Sequence, residues 1–358
     1  MKKVIFVLSF FLILYTPYIV YGENINNIIE ETENIKTPNG YSVKDTAQKI
    51  IDGEFNLSFS GVCDYIIGLF LGGIKENSGY ITKMTVVALI SGVAASLWGG
   101  KNEIGVFCLL CIVSLLSLKA FSYAQSVADE TCNALFIFTQ SLMPSVVGAS
   151  VAMGQVAQSA ACAASFCAMQ IFVHICSKII LPFICVLTVL CVVDSLNEVS
   201  YLKGVISFLK QTLKWGTGLM LTLYTAVIAL QTQTAGAFDT VGGKTVKYAV
   251  GSFVPIVGSA LSDSLEFIIS SGKVIKNALG ISGIIGVCSL CTGPLINLLA
   301  LSLCYKLASA VASVAAEERV TKVINEIGGG LLRICINITA VSVMFVISLA
   351  FLCRMGGF

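Results

Sequence analysis

Apolar residues fall in blocks of membrane length, and the polar positions between them set the predicted elements. A helix rises about 1.5 Å per residue, so crossing a hydrocarbon core of about 30 Å takes roughly 20 apolar residues. Such blocks lie at 81–98, 104–124, 134–154, 171–193, 214–232, 280–304 and 331–353. The pattern predicts an all-α, polytopic membrane protein with about seven spans. The N-terminus is different. Met1-Lys2-Lys3 precedes the apolar residues 4–20, and Val20-Tyr21-Gly22 places permissive residues at a cleavage site. Residues 1–22 read as a signal peptide, or as an uncleaved first span. In both cases the polar residues 23–57 are exported, with a turn at Pro38-Asn39-Gly40. The apolar run from Ile66 to Ile74 then reads as an interfacial helix, completing an exported unit at 23–80.

Residues 250–270 break the pattern, being too polar for a lipid-facing span and too apolar for a loop. Val250, Val254, Val257, Leu261, Leu265 and Ile268 recur at helical steps on one side. Ser252, Ser259, Asp263, Glu266 and Ser270 recur on the other, which makes them candidates to face a pore or a partner chain. Gly251, Pro255 and Gly258 permit a kink or a close backbone approach. The helix either crosses the membrane, or lies flat or re-enters. Asp263 and Glu266 share a face, on which they either bind a cation or relay protons, or simply form a hydrated surface.

A three-helix unit is expected to occur twice, at 134–232 and within 233–358, after two initial spans in 81–133. Leu142-Met143-Pro144-Ser145-Val146-Val147-Gly148 resembles Phe253-Val254-Pro255-Ile256-Val257-Gly258. Pro144 is followed by Pro182 at nearly the spacing that separates Pro255 from Pro294. A glycine then opens each last span, Gly216 and Gly328. These prolines are hinge or packing candidates. Units of three crossings would point in opposite directions, a known way to build a midplane pathway.

Composition narrows the chemistry. The chain is 56% hydrophobic and 12% charged with mean hydropathy +0.89, and its net charge of +2 implies no nucleic-acid partner. His174 is the single histidine, so His-rich metal sites and His-based catalysis are not expected. Thirteen of the 14 cysteines lie in or beside apolar segments and read as small buried hydrophobes. Cys108/Cys111 and Cys288/Cys291 have C-x-x-C spacing without a neighbouring His or charge. His174 and Lys178 are the intramembrane ionisable candidates. The alternative is that the span begins near Ile179 and Lys178 snorkels to the interface. There is no P-loop, H-E-x-x-H or G-x-S-x-G. No enzyme activity, metal or cofactor is expected.

Signal peptide, exported segment and spans occur in order with the run Lys247-Tyr-Ala-Val-Gly-Ser-Phe-Val-Pro-Ile-Val-Gly258 and the later Val274-Ile-Lys-Asn-Ala-Leu-Gly-Ile-Ser-Gly283. This combination resembles the stage III sporulation protein AE family. The resemblance implies an endospore-forming bacterium and a place in the mother-cell membrane around the forespore. It implies as partners the other stage III sporulation proteins, AA to AH, including the AA ATPase, and stage II sporulation protein Q. Together they would form a secretion-like channel across the envelope. The expected role is a channel or export-platform subunit, present as a homo-oligomer. The alternatives are an ion-coupled secondary transporter working through Lys178, Asp263 or Glu266, and a structural anchor for partner proteins.

Overall fold

The computed structural model describes residues 59–97, 103–152, 156–197, 201–253, 258–314 and 316–354, and they contain no strand. The helices are α1 (Phe59–Leu97), α2 (Glu103–Ala152), α3 (Val156–Ile175), α4 (Leu181–Leu196), α5 (Lys203–Phe253), α6 (Gly258–Ala312) and α7 (Glu318–Arg354). A π-helical turn, Cys176–Ile180, joins α3 to α4 without a break. The signal peptide and the polar exported stretch fall outside the described residues.

Among the described residues five stretches are long and apolar enough to cross a membrane: Leu110–Gly148, Ser159–Leu196, Lys203–Gln231, Asn277–Ala312 and Glu318–Phe351. This departs from the expected span pattern in two places. Residues 104–124 and 134–154 belong largely to one helix, the 50-residue α2. The polar segment between them lacks Gly and Pro, and it places Ala124, Ala128, Thr131 and Cys132 in the core at helical spacing. With nothing to turn the chain and apolar groups to bury, the helix continues. The expected interfacial helix and first span are likewise merged into α1.

Pairs of touching residues give the helix directions. Ser165 Oγ donates to Gln231 Oε1 at 2.6 Å, and Cys176 Sγ lies 3.9 Å from Met220 Sδ, so α3 and α5 are antiparallel. Ser309 Oγ donates to the Thr321 carbonyl, Ser302 Oγ to that of Gly328, and Cys335 Sγ lies against that of Leu295. Hence α6 and α7 form an antiparallel pair. Lys210 meets Glu326 and Tyr224 meets the Met344 carbonyl, so α5 and α7 run parallel. The last spans of the two expected repeat units therefore point the same way. Stretches 196–214 and 308–327 lie at the same end, and consecutive units are not inverted.

The core sits around α7. Val320, Val323, Ile324, Ile327, Leu331, Ile334, Ile338, Val341, Phe345 and Leu349 are buried against α2, α4, α5 and α6. Lipid tails are as apolar as these side chains, so association rests on close packing more than on exclusion of water. Two glycines permit that packing. A Cβ on Gly286 would stand 2.4 Å from Phe138 Cζ, and one on Gly330 2.5 Å from Thr188 Oγ1. The Gly328-Gly329-Gly330 run is helical and serves as a close-packing site rather than a hinge.

The two-faced stretch 250–270 is described in two parts: α5 up to Phe253 and α6 from Gly258, while residues 254–257, Pro255 among them, lie outside the described residues. Ser252 belongs to α5. Ser259, Asp263, Glu266 and Ser270 belong to the first turns of α6, where their spacing still puts them on one helical face.

Candidate functional site

The first polar cluster grows out of the proline in α4. Pro182 has no N–H, and in a regular helix its ring would press on the carbonyl four residues back, that of Lys178. The chain widens into the π turn immediately before it. Such turns occur often at functional sites. The Leu181 N–H bonds the Cys176 carbonyl, which also accepts Asn337 Nδ2 of α7 at 3.3 Å. The next two residues point away from the core toward α2. Ser177 Oγ donates to Asp129 Oδ1 at 2.6 Å, and Lys178 Nζ lies 3.6 Å from the same oxygen. His174, exposed, sits one turn earlier. Lys178 thus has a carboxylate partner on a neighbouring helix.

The depth of this ion pair matters. Asn337 lies near the middle of the apolar run Glu318–Phe351. Its contact with Cys176, and that of Cys176 with Met220, place the π turn about 9 Å from the level of Lys214, which stands six residues before Met220 on α5. Lys178 and Asp129 are 58% and 52% exposed on the side of the bundle. A charge facing lipid tails costs up to about 3 kcal/mol, so the pair favours a surface that meets water, headgroups or another chain.

The surrounding surface agrees. Near its start α2 exposes Phe107, Ile112, Leu115 and Leu118. From there the exposed positions turn mostly polar: Lys119, Ser122, Ser126, Asp129, Glu130 and Asn133, with Tyr123 among them and Ile137 standing before Gln140 and Ser141. Ser126 Oγ donates to Glu130 Oε1 at 2.8 Å. The polar part from Lys119 to Asn133 runs about 21 Å along the helix.

The second cluster is a charged node between α5 and α7. Lys210 Nζ lies 2.9 Å from both Glu326 carboxylate oxygens, and Arg333 Nη2 is 3.6 Å from Oε2. The three side chains are a fifth to a third exposed. Arg333 Nη1 and Asn337 Oδ1 are buried with no hydrogen-bond partner, one turn apart on α7. A third, smaller node ties α1 to α6 and α2. Asn77 Nδ2 donates to Asn297 Oδ1 at 2.8 Å, and Asn297 Nδ2 to Tyr123 Oη at 3.3 Å.

Of the prolines, Pro144 lies inside α2 and exposed, and Pro294 inside α6 and half-buried. Sequence reasoning missed Asp129, Glu130, Glu326, Arg333 and Asn337. The signal for the first two was present in the spacing of polar residues from 119 to 141, hidden by the expectation of a loop there. Glu326 and Arg333 are seven apart, two helical turns on one face, which also marks them. Among the described residues no three His, Cys, Asp or Glu side chains gather as metal ligands, and none of the twelve cysteines described forms a disulfide.

Long apolar helices in an all-helical bundle define a multi-pass membrane protein. Comparison with known proteins carries this further. The chain belongs to the family described as Stage III sporulation protein AE, which it matches over residues 41–356. It is 25% identical over 250 residues to Stage III sporulation protein AE of Bacillus subtilis (strain 168), an alignment covering 68% of this chain and 62% of that protein. The chain thus spans under two thirds of the relative it matches. No solved structure matches it.

Proposed function

We propose that this protein is a channel or export-platform subunit of a complex crossing the mother-cell and forespore membranes during endospore formation. The observation that carries the proposal is the exposed Asp129–Ser177–Lys178 cluster, on a stretch of α2 from Lys119 to Asn133 whose outer positions are mostly polar. A lone transporter buries such groups inside its own bundle. Here they lie outside, where only an assembly can enclose them. Several copies placed around one axis would bring these faces together against water. The membrane is the mother-cell membrane around the forespore. The partners are the other stage III sporulation proteins, AA to AH, with the AA ATPase supplying nucleotide chemistry, and stage II sporulation protein Q.

The test uses single cysteines in a background freed of native cysteine. Ser126→Cys and Asn133→Cys are expected to react with a water-soluble maleimide in the assembled complex, while Leu115→Cys stays silent. Asp129→Leu is expected to insert normally, since it removes a charge that is costly in a bilayer, and to lower spore yield about tenfold or more. Silence at both polar positions together with normal spore yield would remove the proposal. The face shared by Ser259, Asp263, Glu266 and Ser270 is a second candidate lining. Ser259→Leu and Asp263→Leu are each expected to impair sporulation without loss of membrane protein, and unimpaired yield from both would exclude that face.

The Lys210–Glu326–Arg333 node favours a second reading, an ion-coupled secondary transporter, since charges within a bundle are the usual coupling groups. Substrate-dependent, gradient-driven uptake by the purified protein alone would select it.

A further inference from the structure

A second binding feature lies on the outer face of α5. Lys203, Lys210 and Lys214 are spaced seven and four apart, so they share one stripe of the helix. Lys210 is held on Glu326 beside Arg333, leaving the group with an excess of positive charge and one buried guanidinium nitrogen without an acceptor. Lys214 is exposed and pairs with no carboxylate among the described residues. Next to it stands Trp215, 69% exposed, a side chain typical of the headgroup level of a bilayer.

From Lys214 an open groove of about 570 Å³ continues along α5, lined by Trp215, Gly218, Leu219, Thr222 and Leu223. Gly218 makes its floor, with nothing within 4 Å of where a Cβ would stand. Thr222 spends its hydroxyl on the Gly218 carbonyl at 2.9 Å, which leaves the groove walls apolar. One end of the feature is therefore cationic and at headgroup level. The rest is apolar and runs about 14 Å toward the bilayer centre.

We propose that this is a seat for one anionic phospholipid, its phosphate on Lys214, one helical turn from Lys210, and an acyl chain in the groove over Gly218. Charge complementarity favours an anionic over a zwitterionic lipid, as for other basic sites at the membrane surface. Zwitterionic headgroups carry their own cation, which Lys214 would repel.

The purified full-length protein in detergent tests this by thermal unfolding with added phosphatidylglycerol, phosphatidylcholine or glycerol 3-phosphate. Phosphatidylglycerol is expected to raise the midpoint by about 5 °C through binding to the folded state, and the other two to leave it unchanged. Lys214→Gln and Gly218→Leu touch only open surface, so both variants fold, and each is expected to lose the gain. An equal gain from phosphatidylcholine would overturn the charge selectivity. An equal gain from glycerol 3-phosphate would show a phosphate site with no lipid chain. Retention of the gain in either variant would overturn the two-part seat.

Discussion

Gly330→Leu is expected to prevent the chain from reaching a folded, monodisperse state in detergent or membranes. Even the first added carbon would stand 2.5 Å from Thr188 Oγ1, 2.7 Å from Thr188 Cγ2 and 3.0 Å from the Phe121 ring. Thr188 is β-branched, buried and bonded to the Ile184 carbonyl, so it has little room to yield. Removing a helical glycine gains about 1 kcal/mol of propensity, while overpacking costs about 1–3 kcal/mol and more for a whole isobutyl group. Strain wins, and it wins where α2, α4 and α7 meet. Gly293→Ala is the control. Its added carbon would meet nothing within 4 Å, so propensity is expected to win and thermal stability to rise slightly. Size-exclusion profiles and unfolding midpoints of the two variants check both signs. A Gly330→Leu protein as stable as its parent would show that the three helices do not pack as described.

The next largest effect is expected at Glu326. Glu326→Leu leaves Lys210 and Arg333 facing each other without a carboxylate. Removing one partner of a buried pair costs about 3–5 kcal/mol. This node is a fifth to a third exposed, so about 2 kcal/mol is expected. Replacing all three, as Lys210→Met, Glu326→Leu and Arg333→Met together, is expected to restore most of that stability. The penalty belongs to the uncompensated charges rather than to the lost contact. The triple variant also separates structure from transport. If the node only joins α5 to α7, the restored protein supports sporulation. If it couples ions, the protein folds and fails.

Legibility along the chain followed the range of the interactions. The helical character of all described segments was readable, because the period of apolar residues is local. So was the class of protein, because runs such as 280–304 and 331–353 admit no other solvent. The boundaries were less readable. The segment 125–133 carries Asp129, Glu130 and Asn133 and has the polarity of a loop. It is helical because its inward positions pack against α6 and α7, partners more than a hundred residues away. The stretch 250–270 lies only partly within the described residues, in α5 to Phe253 and in α6 from Gly258. The resemblance resting on 247–283 and the other spans proved correct at the level of family.

The residues alone determined a helical membrane protein, since span length and polarity are properties of consecutive side chains, and the resemblance carried by 247–283 pointed to its family. Tertiary structure decided which charges matter. Lys178 became half of an ion pair only because α3 and α4 lie beside α2 at Asp129. Lys210 and Glu326 met only because α5 and α7 run side by side in the same direction. The same parallel course excluded inverted repeat units. No local pattern encodes these facts. Whether a polar helix face meets a neighbour or the outside depends on how distant helices pack, and that packing is decided by steric fit at positions such as Gly286 and Gly330.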